Sequence, residues 1–183
     1  FPVLDEEIGK QMKQEIENAR NRQDSVGGIL ETVISGVEAG IGEPTFSSLE
    51  SMLSEAMFSI PAVKGIEFGS GFDFANMYGS EANDAWIIQD NKVIAKTNHN
   101  GGINGGISNG MPITFKTVIK PTPSISLEQD SVNYETKENV KLSISGRHDP
   151  AIIHRARAVV DAMTALVIAD AYMMTYGRKW FEK

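Results

Sequence analysis

The chain has 183 residues, 41% of them hydrophobic and 22% charged, and a formal net charge of -7 at pH 7. This length suits one hydrophobic core, so we expect one domain over residues 1–183, and the acidic charge argues against a nucleic-acid partner. Without cysteine there are no disulfides or thiolate metal sites, and His99, His148 and His154 lie at no zinc-ligand spacing, so no metal is expected. No signal peptide or membrane-spanning apolar run is recognised, which predicts a cytoplasmic protein without a membrane partner.

The amino-terminal residues predict a helix followed by a strand. Apolar residues at one-turn spacing behind Asp5 predict an amphipathic helix that Asp5 caps. The β-branched run over residues 26–37 predicts a long strand. Gly27 and Gly28 near its start predict a bulge or a close backbone approach.

A second helix and strand are predicted next. Ser47 with Glu50 three residues later has the form of a capping box, which predicts a helix start. The helix would bury a stripe of apolar residues: Leu49, Met52, Leu53, Ala56 and Met57. Residues 60–68 predict a strand.

A polar excursion covers about residues 71–104. Within it, residues 86–88 and 93–95 flank Asp90-Asn91, which predicts a hairpin. Long segments with their own small structure are often lids or binding segments.

Residues 100–110 form a glycine-rich run that leads into a predicted half-buried strand, residues 111–119. Its backbone is free to take positive φ and to lie against a flat or phosphorylated ligand. Pro121 and Pro123 end the strand and present Lys120, Thr122 and Ser124 on a stiff extended segment. These features make a plausible anion pocket. An ordinary glycine-rich turn between two strands is the alternative, and composition alone favours it.

The last third predicts a polar stretch (127–139), a strand (140–145) and an apolar helix (151–176). Asp149 is the expected cap of this helix, with Pro150 in its first turn. Because the helix is apolar around its circumference, we expect sheet or another subunit to cover most of it.

Arg147, His148 and Asp149 are adjacent ionisable groups before this helix, where an anion is favoured. The alternative is structural: Asp149 only caps, Arg147 makes a surface ion pair and His148 points to solvent. Spacing alone favours the alternative. Together the patterns predict an α+β domain that carries two candidate anion sites.

Several long segments match a known family in the same order. They are DSVGG (residues 24–28), GEP (42–44), SIPAVKGIEFGSGF (59–72), GSEAND (79–84), TNHNGGINGGISNGMPI (97–113), KPTPSI (120–125) and GRHDP (146–150) with the apolar helix after it. In these segments the chain closely resembles chorismate synthase. The resemblance implies an antiparallel sheet with helices packed on it, as in one half of that family's β-α-β sandwich, in a homotetramer.

The resemblance also implies an activity. Chorismate synthases convert 5-enolpyruvylshikimate 3-phosphate to chorismate and phosphate, in the shikimate pathway of aromatic amino acid biosynthesis. The reaction is a 1,4-anti elimination that uses reduced FMN without net redox change. A lyase of this type is therefore the function that the resemblance predicts.

Site residues follow from the resemblance position by position. The expected FMN contacts are Pro61, Ala62, Gly105, Lys120, Pro121, Thr122, Pro123, Ser124 and Arg147. Arg147 would also serve the substrate, and Asp149 would act as a general base that takes the proton from flavin N5. Capping and base roles for Asp149 can coexist.

The chain also departs from the family. Members are about twice this long, and their amino-terminal half carries histidines, an arginine cluster for the substrate and a Ser-Ala-Arg flavin motif that this sequence lacks. Asp161 stands where the family usually has glutamate. We therefore expect a carboxyl half that is catalytically incomplete by itself. A non-catalytic FMN-binding or interaction module, and a structural domain without a ligand, remain alternatives.

Overall fold

The computed structural model describes residues 3–146 and 148–177. Its elements in chain order are α1 (Glu6–Asn21), β1 (Gly28–Ile34), α2 (Leu49–Phe58), β2 (Val63–Phe68), a 3-10 helix (Gly71–Asn76), α3 (Gly79–Ala82), β3 (Trp86–Gln89), β4 (Lys92–Ala95), β5 (Ile103–Asn104), β6 (Ile107–Ser108), β7 (Ile113–Ile119), β8 (Gln129–Asn133), β9 (Glu138–Leu142) and α4 (Ile153–Tyr176).

The chain divides into two compact units. Unit 1 contains the residues up to Gly28 together with Ile119–Arg157, and unit 2 contains Ile29–Val118 together with the residues from Ala158 onward. Compact units within one chain are not necessarily separate domains. The single domain over residues 1–183 therefore stays a prediction.

In unit 1, α1 begins where the sequence predicts. The Asp5 carboxylate accepts hydrogen bonds from the amides of Glu7 (2.8 Å) and Ile8 (3.0 Å). These bonds satisfy two of the free N–H groups of the first turn. The predicted Asp5 cap is confirmed.

Gly27 lies directly against the chain that follows β7. A Cβ atom at Gly27 would collide with the Ile119 carbonyl oxygen and would lie 3.1 Å from the Pro121 nitrogen. The Val26 amide donates to the Pro150 carbonyl at 2.8 Å, so the segment also contacts the chain before α4. The predicted close backbone approach is confirmed.

The β8–β9 hairpin of unit 1 differs from the prediction. β8 and β9 pair antiparallel, with Ser131 opposite Val140, although β8 lies in the stretch predicted to be only polar. All five residues of β9 are exposed. A hairpin without a buried face shows no apolar alternation, which is why the pattern missed β8.

Unit 2 is built on a three-stranded sheet in the order β1-β7-β2. In the central strand β7, the side chains of Ile113, Phe115, Thr117 and Ile119 are buried, and those between them are less so. This alternation confirms the predicted half-buried strand. β1 ends at Ile34, three residues before the predicted end.

The start of α2 lies one residue after the predicted one. Ser48, not Ser47, is the cap, and its hydroxyl accepts from the Ser51 amide at 3.1 Å. The Ser47 amide donates to the Thr45 carbonyl at 2.7 Å, which places Ser47 in the preceding turn. The predicted capping box of Ser47 and Glu50 is therefore wrong.

The start of α4 also differs. The amides of Arg155 and Ala156 both donate to the Ile152 carbonyl at 3.0 Å, so the first helical turn begins after Pro150. The Asp149 carboxylate instead accepts from the Arg155 guanidinium. The predicted Asp149 cap is wrong because the helix begins at Ile153.

Much of α4 is exposed in this chain. Its buried residues are Val160, Thr164 and Ala171, whereas Leu166 is 63% exposed and Met174 52% exposed. Contrary to the sequence-based expectation, α4 is long and apolar enough to cross a membrane by length and composition. Core helices of soluble proteins meet the same criteria. The described residues of this chain cover only part of α4, and the expected cover by another subunit stays a prediction.

Phe115 should dominate the core of unit 2. It is 1% exposed, and its ring centroid lies 5.8 Å from that of Phe68. Phe115→Ala should lower the free energy of unfolding by about 3–5 kcal/mol, because it leaves a cavity under the central strand. In the same strand, Val118→Ala should cost less than about 1 kcal/mol, since Val118 is 38% exposed. Urea unfolding followed by circular dichroism measures both, and equal losses would contradict the assignment of the core.

Candidate functional site

The glycine-rich run forms a short hairpin in unit 2. β5 pairs antiparallel with β6, and the two residues between them, Gly105 and Gly106, have φ of 58° and 86°. Positive φ at both central positions is the geometry of a type I′ turn, which favours glycine. The glycine-rich turn between two strands is therefore found, and a ligand role for it stays a prediction.

The two turn glycines differ in their surroundings. A Cβ at Gly106 would lie 2.5 Å from the Glu43 carbonyl oxygen and 2.6 Å from Ser48 Cβ. A Cβ at Gly105 would meet no atom within 4 Å. Gly106 thus packs against the rest of unit 2, and Gly105 leaves open space for another molecule.

A cavity of 290 Å³ lies beside this turn. Its lining is rich in side-chain amides and comprises Asn83, Asp84, Trp86, Asn100, Asn104, Ile107, Ser108 and Asn109. Asn104 and Ile107 directly flank the Gly105-Gly106 turn. Asn109 Nδ2 donates to Asn104 Oδ1 at 2.6 Å, and Asn109 Oδ1 accepts from the Met111 amide at 2.9 Å. These hydrogen bonds orient the side-chain amides of Asn104 and Asn109.

A buried carboxylate lies at one side of the cavity. Asp84 is 7% exposed and accepts hydrogen bonds from Thr97 Oγ1, the amides of His99 and Asn100, and Asn100 Nδ2. Burial alone raises the pKa of Asp84, but the bonds from Asn100, Thr97 and His99 outweigh it and lower the pKa below its usual value. Asp84 is therefore an ionised acceptor held at the edge of the glycine run.

The end of β2 contacts residues 98–102, a turn that precedes the glycine hairpin. The Ser70 amide donates to the His99 carbonyl at 2.7 Å, and Ser70 Oγ lies 2.9 Å from His99 Nδ1. A Cβ at Gly69 would collide with that carbonyl oxygen. Within the turn, Asn98 Oδ1 accepts from the Gly102 amide at 2.8 Å. Residues 98–102 are thus fixed by Asp84 on one side and by the end of β2 on the other.

Two further predicted FMN contacts, Pro61 and Ala62, lie in the turn between α2 and β2. The Val63 amide donates to the Ile60 carbonyl at 3.2 Å, and Ala62 has φ of 75°, rare for a residue with a side chain. Neither residue lines the 290 Å³ cavity. Their contact with a flavin stays a prediction.

The predicted Lys-Pro segment lies in unit 1, directly after β7. The Thr122 carbonyl accepts from Ser25 Oγ at 2.6 Å, and the Thr122 hydroxyl is buried without a hydrogen-bond partner in the described part of the chain. Four neighbours are exposed: Lys120, Pro121, Pro123 and Ser124. The segment therefore exposes a lysine close to a buried hydroxyl that has no partner in the described chain.

The last predicted group also lies in unit 1. Arg147, the predicted flavin and substrate contact, lies outside the described residues. His148 Nε2 lies 2.9 Å from the Ile144 carbonyl oxygen and donates to it, so His148 does not simply point to solvent. Asp149 pairs with Arg155. Asp149 and Gly105 belong to different units, and their joint role stays a prediction.

Comparison with known proteins gives the family. The chorismate synthase family profile matches residues 1–173. The chain belongs to the chorismate synthase family. It is 49% identical over 173 residues to the chorismate synthase of Methanosarcina mazei, covering 94% of this chain and 47% of that protein.

Two other chorismate synthases show a similar sequence identity to this chain. That of Lachnoclostridium phytofermentans is 49% identical over 186 residues (98% of this chain, 50% of that protein), and that of Archaeoglobus fulgidus is 52% identical over 151 residues (82% and 42%). A crystal structure of chorismate synthase matches with a TM-score of 0.73 at 28% identity, covering 92% of this chain and 43% of that one. The α+β fold of a chorismate synthase half is confirmed, and the chain spans about half the length of these relatives.

The sequence patterns did not predict the carboxylate and its hydrogen-bond donors that hold the turn of residues 98–102. Asp84, Thr97, His99 and Asn100 fall within family-matching segments, but no spacing rule links a carboxylate to a hydroxyl 13 residues later and to amides 15 and 16 residues later. The one signal in the sequence was the change from a polar excursion to a glycine run, which requires an anchor for its backbone.

The contact between Gly69 and the turn can be tested by substitution. Gly36→Ala should lower the free energy of unfolding by about 1 kcal/mol, because Gly36 has φ of 82° but no atom within 4 Å of the added methyl group. Gly69→Ala, at φ of 55°, should lose about 1–3 kcal/mol more through its collision with the His99 carbonyl. Urea unfolding of both variants measures the difference. Equal losses would mean that the turn is not held there.

Proposed function

We propose that this chain is the carboxyl half of a chorismate synthase that eliminates phosphate from 5-enolpyruvylshikimate 3-phosphate with reduced FMN. In this reaction the C–O bond to phosphate breaks, a ring hydrogen leaves, and a new double bond gives chorismate without net redox change. The observation that carries the proposal is the family match over residues 1–173, which contains every residue predicted to bind the flavin or take its proton. As corollaries we propose a cytoplasmic homotetramer without nucleic-acid, membrane or metal partners.

The glycine hairpin fits a flat cofactor. No atom lies within 4 Å of a Cβ position at Gly105, so a ring can approach its backbone there. The adjacent cavity offers amide donors and acceptors, which suit the polar edge of an isoalloxazine. Gly105 would lie against the flavin, and Pro61 and Ala62 would contact it from the turn before β2. When bound, reduced flavin supplies electron density that helps phosphate leave and recovers it as the ring hydrogen is lost.

The Lys-Pro segment would hold the anionic part of the cofactor. Pro121 and Pro123 have no N–H group, so the segment's amide donors after Lys120 are Thr122 and Ser124. The exposed Lys120 ammonium and the unpartnered Thr122 hydroxyl can add a charge and a further hydrogen bond. Arg147 would bind flavin or substrate anions with its guanidinium fork.

Asp149 has the free acceptor that a general base needs. Its Oδ2 accepts from Arg155, whereas its Oδ1 has no hydrogen bond to a described residue. The guanidinium orients the carboxylate, and Oδ1 can take a proton. We therefore assign to Asp149 the removal of the proton from flavin N5.

The chain alone should not complete the reaction. In the family, the substrate arginines and the histidine acids lie in the amino-terminal half. Incubated anaerobically with substrate and reduced FMN, the 183-residue chain should form no chorismate. Adding the half of the Methanosarcina mazei enzyme that this chain does not match should restore turnover. In that mixture, Asp149→Asn should lower kcat by about 100-fold or more, as loss of a general base does. Chorismate formed at a normal rate by the isolated chain would contradict the proposal.

A second candidate is a non-catalytic module that binds FMN. It is favoured by the presence of the flavin segments in a chain that spans half of its relatives. A module should bind FMN equally well alone and in the mixture, whereas a half-site should bind it at least about tenfold more tightly in the mixture.

Gly105 can be tested with a matched glycine. Gly105→Ala should weaken FMN binding by about tenfold, because the methyl group occupies the space that the ring needs. Gly36→Ala has comparable backbone strain but lies away from the cavity, so it should leave FMN affinity unchanged. Fluorescence titration of FMN measures both variants. Equal affinities for the two variants would remove Gly105 from the site.

A further inference from the structure

We propose that Asp84 is a positioning residue for the ligand site: its carboxylate fixes the turn formed by residues 98–102 and thereby the amide wall of the cavity beside Gly105. The inference deepens the proposed function and rests on it for the identity of the ligand. Asp84 itself need not touch the flavin. It would act through Asn100, which lines the same cavity.

Both oxygens of Asp84 are fully used. Oδ1 accepts from Thr97 Oγ1 at 2.8 Å and from the His99 amide at 2.7 Å. Oδ2 accepts from the Asn100 amide at 2.9 Å and from Asn100 Nδ2 at 2.7 Å. Four donors to one buried carboxylate leave little freedom for the turn or for the carboxylate.

The bonds decide which way Asn100 presents its amide. Because Nδ2 donates to Asp84, Oδ1 is the remaining acceptor of a side chain that lines the cavity. A fixed acceptor there suits an N–H donor of a ligand. The imide N–H between the two carbonyls at the polar edge of a flavin is a donor of this kind. The cavity is thus arranged to accept a hydrogen bond from the polar edge of the ring.

Only a carboxylate satisfies this set of donors. All four groups around Asp84 donate, so an amide at this position would direct its NH₂ group at two other donors. A buried charge needs such compensation. Burying the Asp84 carboxylate costs free energy, and its four hydrogen bonds offset that cost. The same bonds hold the backbone of residues 98–102 in one conformation.

A merely structural role makes a different prediction from a positioning role. Thr97 donates to Asp84 but does not line the cavity. Removing its hydroxyl loosens the carboxylate without touching a ligand. If Asp84 acts by positioning Asn100, Thr97→Val must weaken ligand binding even though the fold is retained.

The test uses the 183-residue chain, alone and mixed with the unmatched half of the Methanosarcina mazei enzyme. Wild type, Asp84→Asn, Thr97→Val and the control Asp90→Asn are titrated with FMN. Asp90 lies in the β3–β4 turn, outside the cavity lining, and its φ of 49° suits asparagine. Melting temperatures and amide exchange rates from ¹⁵N spectra are measured on the same samples.

We expect Asp84→Asn to raise the Kd for FMN by about tenfold or more and Thr97→Val to raise it by about threefold, with Asp90→Asn unchanged. Thr97→Val should melt within a few degrees of wild type. The amides of His99 and Asn100 should exchange at least about tenfold faster in Asp84→Asn. Wild-type affinity in both Asp84→Asn and Thr97→Val would overturn the inference.

Two further outcomes are also decisive. If Asp84→Asn does not fold, Thr97→Val alone decides, and its wild-type affinity for FMN overturns the inference. If wild type binds no FMN in either state, the proposed function fails. Amide exchange then tests the positioning of the turn by itself, and unchanged exchange at His99 and Asn100 overturns the inference.

Discussion

The turn formed by residues 98–102 in unit 2 depends on one constraint, the close approach of the Gly69 backbone to the carbonyl oxygen of His99. A side chain at Gly69 would collide with that oxygen, so the end of β2 and the turn can meet only because residue 69 has none. Once they meet, the Ser70 amide and hydroxyl can bond His99, and Asp84 can collect its donors from the same turn. The open backbone at Gly105 follows a few residues later, on a hairpin whose base is already fixed.

Features set by neighbouring residues could be predicted from the sequence. The Asp5 cap and the β3–β4 hairpin are local, and the structure shows Asp90 and Asn91 both at positive φ, as a two-residue hairpin requires. The central strand β7 alternates over seven residues because one of its faces is buried. The family assignment was also possible, because long matching segments identify a family more specifically than any single motif.

Features set by distant contacts could not be predicted. The sequence shows 24 acidic residues and gives no sign that Asp84 is the one buried among four donors. The start of α2 was predicted wrongly for a related reason. Ser47 and Ser48 are equally good caps by type, and the choice depends on the turn made by Thr45. For α4, periodicity showed that its residues are apolar but could not show how much of the helix this chain covers.

The start of α4 at Ile153 has a consequence for the chemistry proposed at Asp149. Had the aspartate been the cap, its carboxylate would have been committed to the free amides of the helix, and any swing toward a ligand would have frayed the first turn. Asp149 lies four residues before the helix, and among the described residues its carboxylate bonds only the Arg155 guanidinium. It can therefore change partners by rotating its side chain while the helix stays intact. Proton transfer at Asp149 would then be linked to α4 through the Arg155 side chain, and it would break no hydrogen bond of the helix backbone.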